Sequence, residues 1–511
     1  MNYQFIISSL VSFSIIFFIF QKIIFKKFYI FSIINIIILI QAIVHHFIPF
    51  YLKHYQGINF YKKISFSNSD DINIIILCSI LSVILFTYTC IVNINHTYVS
   101  KNQTLLNNLN MNKYLINLIV ILGFSQILIF IGILPFPYVP IDEWTKLFYQ
   151  IDYDYWLFYN PIHLGNIDNY FIKHLFITLS SIIIPFSIVL FCLKFKDQRK
   201  IQILIYFLIL LFFLSTNQRT FVIGSIFPAI AILYLIEKLC LKNIVKMSLV
   251  LLIVYVLSPL IRDNATQNLS NSFFERSIIT INGISNIICD YHINESKKSN
   301  KNCDIFPSKR ADFIRSIEEK HDVNFESFNP VHYTFSKRTD ANLFSNNIHT
   351  WNINQKVINN SFSNIEFIIT NIKYLLPGFI FDKTQTYKPI GSYHEYFLSD
   401  PSSYLLLSNN LPPTDFIRSL IIDMNLISGN ILVFILFIIL LFYIHQKIES
   451  KIVKNATYPI VILFIGILHA MLVDFNVTDL LVSIRNCLII IFAFKILNII
   501  FNYLSSKIVN E

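Results

Sequence analysis

The sequence predicts an all-α polytopic membrane protein with about eleven transmembrane helices and one large, mostly helical periplasmic loop between Arg262 and Asp415. Three observations carry that expectation. Of the 511 residues, 55% are hydrophobic and 14% charged, where a soluble domain carries roughly 25% charged residues. Apolar stretches recur at the length needed to cross a hydrocarbon layer about 30 Å thick, which takes about 20 residues of helix. The formal charge of +10 is spread in short clusters between those stretches. Such clusters mark membrane topology, and they lack the basic face or arm that a nucleic-acid partner requires.

Windows of high hydropathy place helices at 3–20, 29–50, 72–93, 114–135, 172–193, 201–216, 219–236 and 244–261, and again at 427–445, 458–474 and 482–502. The chain therefore divides into eight transmembrane helices (1–261), a periplasmic loop or cap (262–426) and three further helices (427–511). The first run, Phe5 to Phe20, is followed by Gln21 and Lys22 instead of a small-residue cleavage site, so it reads as a retained helix. Only Ser215-Thr216-Asn217-Gln218 separates the sixth helix from the seventh. A single helix across that seam would overshoot the bilayer, which favours a hairpin.

Orientation follows from the tendency of Lys and Arg to stay in the cytoplasm. Alternate loops hold Lys22, Lys26 and Lys27; Lys101 and Lys113; Lys194, Lys196, Arg199 and Lys200; Lys238, Lys242 and Lys246; Lys447, Lys451 and Lys454; and Lys507. The intervening short loops are poorer, with Lys53, Lys62 and Lys63, then Lys146 among four acidic residues, then Arg219 alone. The expected topology has the N-terminus periplasmic, the C-terminus cytoplasmic and the long loop outside, in a bacterial inner membrane. Cys289 and Cys303 both fall in that loop. An oxidising compartment allows them a disulfide, the alternative being two thiols too far apart to bridge.

Candidate chemistry is sparse. No metal-ligand cluster is visible, and a chain with ten glycines offers no phosphate-cradling glycine-rich loop; neither metal nor cofactor is expected. Three polar segments stand out. Ser215-Thr216-Asn217-Gln218-Arg219-Thr220 sets one cation at a helix junction, where charge is expensive unless it lines a cavity or meets a partner. Gly391-Ser392-Tyr393-His394-Glu395-Tyr396-Phe397-Leu398 offers a histidine able to accept a proton near neutral pH, with Glu395 beside it. Leu411-Pro412-Pro413-Thr414-Asp415-Phe416-Ile417-Arg418 leads into the ninth helix, and Asp415 and Arg418 are spaced to pair on one helical face. Arg262, Arg276, Arg310, Arg315 and Arg338 add planar cations suited to bidentate phosphate contacts. Arg262 leaves the membrane directly after Pro259-Leu260-Ile261.

In this order, the pieces resemble the Wzy-type O-antigen polymerases. The likeness covers the whole chain as an architecture: many helices, one dominant periplasmic loop late in the sequence, and a short tail of helices. Ser215 to Thr220 looks like that family's polar, arginine-bearing helix start, Gly391 to Leu398 like its histidine-containing loop segment, and Pro412 to Gly429 like its proline-rich approach to a glycine-containing helix. One departure is Glu395, where the related ligase pattern has Asn after the histidine. The resemblance implies transfer of an undecaprenyl-pyrophosphate-linked glycan onto another repeat unit. Arg219, Arg262, Arg276 and Arg418 would hold pyrophosphate, His394 or Glu395 would be the base, and no metal or nucleotide would be needed. Implied partners are the lipid-linked donor and acceptor, the bilayer and a chain-length regulator. The competing readings are an O-antigen ligase and, from another class, a lipid-linked oligosaccharide flippase, which usually shows two comparable halves.

Overall fold

The computed structural model describes residues 33–42, 109–134, 170–195, 197–216, 219–236, 238–263, 273–295, 431–473 and 477–510, with Ile84, Leu420 and Met424 as isolated positions. Among them the secondary structure is helical, without strands: α1 Ile33–Ala42, α2 Lys113–Phe130, α3 Tyr170–Lys194, α4 Gln198–Thr216, α5 Arg219–Leu235, α6 Leu241–Asp263, α7 Phe273–Glu295, α8 Ile431–Asn455, α9 Tyr458–Val473 and α10 Val477–Asn510. Every expected span that falls on described residues is a helix. The expected span at 3–20, that at 72–93 apart from Ile84, and most of the cap lie outside the described residues.

Among the described residues, three helices are long and apolar enough to cross a membrane: Lys113–Phe130, Leu432–Asn455 and Leu480–Ser506. Leu179–Lys194, Val222–Leu235 and Tyr458–Leu472 are shorter apolar helices. Lipid is the solvent that explains their outer faces. On α4 Ile203, Phe207 and Leu210 are each more than half exposed, as are Leu249, Leu252 and Ile253 on α6. Contiguous apolar surface of this kind is rare on a water-soluble monomer. Among the described residues the chain is all-helical, with helices that have the length and apolar surface of membrane spans.

Two compact units are present. Unit 1 comprises residues 1–110 and 335–491, and unit 2 residues 111–334 and 492–511. In unit 1, α1 packs on α8 and α9, and α8 packs on α9. The close approach of α9 to the first part of α10 depends on small residues. A Cβ at Gly466 would collide with the Cys487 sulfur, while the Ser483 hydroxyl donates to the Gly466 carbonyl at 2.7 Å. Lipid supplies no hydrophobic drive between helices, so close backbone packing of this sort takes its place.

In unit 2, α3 packs between α2 and α5, and α4, α5 and α6 pack on one another. The seam at 215–218 is thus a break between two helices that lie side by side, α4 ending at Thr216 and α5 starting at Arg219. Gly123 of α2 meets Ser187 of α3 so closely that a Cβ there would overlap it. Phe186 stacks on Phe494 at 6.1 Å, and Phe124 meets Phe191 edge-on at 5.1 Å.

Polar side chains fix which helix ends share a level. Asn112, the N-cap of α2, accepts from the Tyr114 N–H at 2.9 Å; its own N–H donates to Asn498 at 2.7 Å, and its amide donates to Asn502 and Ser505 near the end of α10. Lys194, the last residue of α3, donates to Asn117 in the first turns of α2 at 2.8 Å. Asn243 at the start of α6 reaches Gln198 at the start of α4. These contacts gather the N-terminal ends of α2, α4 and α6 with the C-terminal ends of α3 and α10. The same end carries Lys113, Lys194, Arg199, Lys200, Lys242 and Lys246.

Candidate functional site

The other end of unit 2 is organised by α7. Helix α2 stops in a Schellman turn: Gly132 at φ 80° directs the Ile133 N–H to the Leu128 carbonyl and its own N–H to the Ile129 carbonyl. The freed Gly132 carbonyl accepts from the Phe273 N–H at 3.3 Å, one of the N–H groups at the start of α7 that lack an intrahelical partner. Two turns later the Thr280 hydroxyl donates to the Leu214 carbonyl at 3.0 Å, closing an open carbonyl at the end of α4. At Gly283 an added Cβ would lie 2.6 Å from the Ile261 carbonyl, so α7 rests directly on the end of α6. The first eleven residues of α7, Phe273 to Gly283, spanning about 15 Å at 1.5 Å per residue, therefore touch the C-terminal ends of α2, α4 and α6 in turn.

This arrangement brings together three of the expected pyrophosphate-binding positions, judged by backbone placement. Arg219 opens α5, three residues after α4 ends and so within about 11 Å of Thr216 by chain reach. Arg262 directly follows Ile261, the residue against which Gly283 packs. Arg276 lies on α7 between Phe273 and Thr280. Cys289 lies further along the same helix. His394, Glu395, Arg418 and Cys303, with Arg310, Arg315 and Arg338, lie outside the described residues.

Beneath this end, unit 2 carries buried polar groups. Gln126, one turn before the end of α2, has its side-chain oxygen buried without a hydrogen-bond partner among the described residues, and so has the Ser225 hydroxyl, six residues into α5. The two oxygens belong to residues about 6 and 9 Å along their helices from that end. Ser180 of α3 is also fully buried. The antiparallel contact of Gly123 with Ile183 and Ser187 brings Ser180 near the level of Gln126. A buried polar atom without a partner costs about 1–3 kcal/mol.

The sequence reading missed a buried polar cluster in unit 1. Glu449, 5% exposed, accepts from the Ile33 N–H at 2.9 Å and the Ile34 N–H at 3.0 Å. One helical turn earlier on α8, His445 Nδ1 lies 3.2 Å from Asn35 Oδ1, and the Asn35 amide donates to the Phe442 carbonyl at 3.3 Å. The signal was the four-residue spacing of His445 and Glu449. It was hidden because hydropathy ends the helix at 445, whereas α8 continues to Asn455. Arg485, a half-buried cation in the apolar α10 whose guanidinium donates to the Asn486 side-chain oxygen at 3.1 Å and 3.2 Å, was likewise passed over. A charge within an apolar run was the available sign.

No protein-family model, curated protein or solved structure matches this chain.

Proposed function

We propose that the protein polymerises undecaprenyl-pyrophosphate-linked oligosaccharide repeat units into O-antigen or a related surface polysaccharide at the periplasmic face of a bacterial inner membrane. In this reading the chain crosses the bilayer about eleven times, with its N-terminus and the 262–426 cap outside and its C-terminus inside. What supports the reading is the backbone placement of Arg219, Arg262 and Arg276 at one end of unit 2, opposite the end that carries the lysines. The lysine-bearing end fits the cytoplasm by the positive-inside rule. The arginine end is then the one that faces the lipid-linked substrate.

The reaction needs positioning and charge stabilisation. An acceptor hydroxyl attacks the anomeric carbon of the donor glycan, and the bond from that carbon to the pyrophosphate oxygen breaks. Undecaprenyl pyrophosphate leaves with the electron pair. Arginines stabilise the departing negative charge through fixed, two-pronged donors. His394 or Glu395 accepts the hydroxyl proton, and Arg418 adds a further phosphate contact.

Deletion of the gene in its native host, followed by gel analysis of lipopolysaccharide, tests the proposal. A core bearing a single repeat unit, restored to a ladder by the wild-type gene, is expected. Bare core with accumulated lipid-linked polymer would make the protein a ligase. Bare core with single units facing the cytoplasm would make it a flippase, and an unchanged ladder would overturn the O-antigen reading.

A further inference from the structure

The sequence reading places α7 within the periplasmic loop or cap at 262–426. Helix α7 has a different character. Residues 277–289 hold no Asp, Glu, Lys or Arg, and charge appears only at the flanks, as Glu275 and Arg276 on one side and Asp290 on the other. An uncharged stretch of about 13 residues is too short to span a bilayer and has the length of an interfacial or re-entrant segment.

The two faces of α7 are distinct. One is pinned to unit 2: Ile279 and Thr280 are buried, and Gly283 lies against the Ile261 backbone. The other bears Phe274 at 76% exposure and Ile278 and Ile281 each at 56%. Positions 274, 278 and 281 follow the i, i+4, i+7 spacing that sets side chains in one stripe along a helix. The stripe does not stand alone. Ile133 and Leu134, just past the turn that receives Phe273, and Leu257 near the end of α6 are also exposed large apolar residues. The outer faces of α4 and α6 are exposed and apolar as well.

We infer that α7 is a membrane-interface helix, with Phe274, Ile278 and Ile281 seated among the lipid acyl chains of the leaflet at that end of unit 2. The occupant of the stripe is bilayer lipid. Glu275 and Arg276, next to the stripe at the helix start, fall at the level of the lipid headgroups, and the helix lies across the ends of α2, α4 and α6. Helices that lie in the membrane plane bury an apolar face a few ångströms past the headgroups in this manner. The inference needs only that the apolar helices of unit 2 cross the membrane, so it stands or falls apart from the polymerase proposal.

The test uses the unaltered full-length protein, reconstituted in vesicles of phosphatidylethanolamine and phosphatidylglycerol doped with a phosphatidylcholine carrying a diazirine near the top of its acyl chain. After irradiation, peptide mapping is expected to find label on Phe274, Ile278 and Ile281, several-fold above Ile279 and Thr280. Ile121 and Leu122, exposed on α2, report that the protein is folded and inserted. Label on Ile121 and Leu122 without label on the stripe would overturn the inference. A second measurement places tryptophan at Phe274 or Ile278 in a chain whose native tryptophans are replaced by phenylalanine. Lipid bromines are expected to quench this tryptophan and aqueous iodide to leave it bright. Quenching by iodide would put the stripe in water, and quenching by neither would put it under the cap or a second copy of the chain; both outcomes overturn the inference.

Discussion

Replacing Glu449 with alanine removes both acceptors that face the start of α1. The Ile33 and Ile34 N–H groups, bonded to its two oxygens at 2.9 and 3.0 Å, are the first N–H groups of α1 among the described residues. The carboxylate also meets the positive end of the helix dipole. Leaving a buried donor unsatisfied costs about 1–3 kcal/mol. Two such donors, in a site where Glu449 is 5% exposed, give a local loss of roughly 2–4 kcal/mol once relaxation is allowed for. At about 1.4 kcal/mol per tenfold, amide exchange at Ile33 and Ile34 should accelerate by roughly 10²-fold if local opening limits it. Glu449→Gln keeps one carbonyl acceptor and turns a donor toward the other N–H, so its effect should be about half as large in free energy. Hydrogen exchange followed by mass spectrometry on the protein in nanodiscs reads this directly. Unchanged exchange at both amides in Glu449→Ala would refute the reasoning, because the bonds would then contribute nothing to holding α1.

Three further outcomes follow from unit 2. Gly123→Val should separate α2 from α3 and lower the folded yield seen by fluorescence-detected size exclusion, while adding Ser187→Gly should recover most of it, because the new side chain then takes the space of the serine. Asn112→Ala removes the α2 cap and the side-chain amide bonds to Asn502 and Ser505, while the backbone bond to Asn498 stays. It should cost about 1–2 kcal/mol, read as a lower midpoint for thermal aggregation in detergent. Thr280→Val keeps the shape of the side chain and leaves the Leu214 carbonyl without its donor. It should cost about 1 kcal/mol and speed exchange in α7 without altering α2.

The positions of the helices were legible because lipid leaves few alternatives: a long apolar run in a bilayer satisfies its backbone as a helix. The described parts of the expected spans at 114–135, 172–193 and 458–474 lie within a few residues of α2, α3 and α9. Helix ends were legible only where hydropathy changes with the fold. Helix α8 runs on to Asn455 and α10 from Val477 to Asn510, past the hydropathy limits at 445 and at 482–502, because polar residues such as Glu449 continue a helix when one face still packs.

The candidate site was legible residue by residue and not as a site. Arg219, Arg262 and Arg276 each stood out, but only α7, crossing three helix ends, brings their backbones to one level. The cluster of Asn35, His445 and Glu449 joins positions more than 400 residues apart, and no local pattern announces such a pairing. Helix α7 was read as cap because its mixed sequence falls below the hydropathy of a span; its apolar stripe emerges from the spacing of Phe274, Ile278 and Ile281 once the buried face is known.

The most direct test of the account supplies purified protein in vesicles with a radiolabelled undecaprenyl-pyrophosphate-linked repeat unit and follows both chain growth and released lipid pyrophosphate. Wild type should extend the glycan without added metal or nucleotide, and Arg219→Ala, Arg262→Ala and Arg276→Ala should each slow extension by about 10²–10³-fold, the loss expected when one donor to a developing negative charge is removed, while the folded yield stays constant. No extension by wild type, or full extension by the triple alanine variant, would contradict the claim that this end of unit 2 carries the transfer.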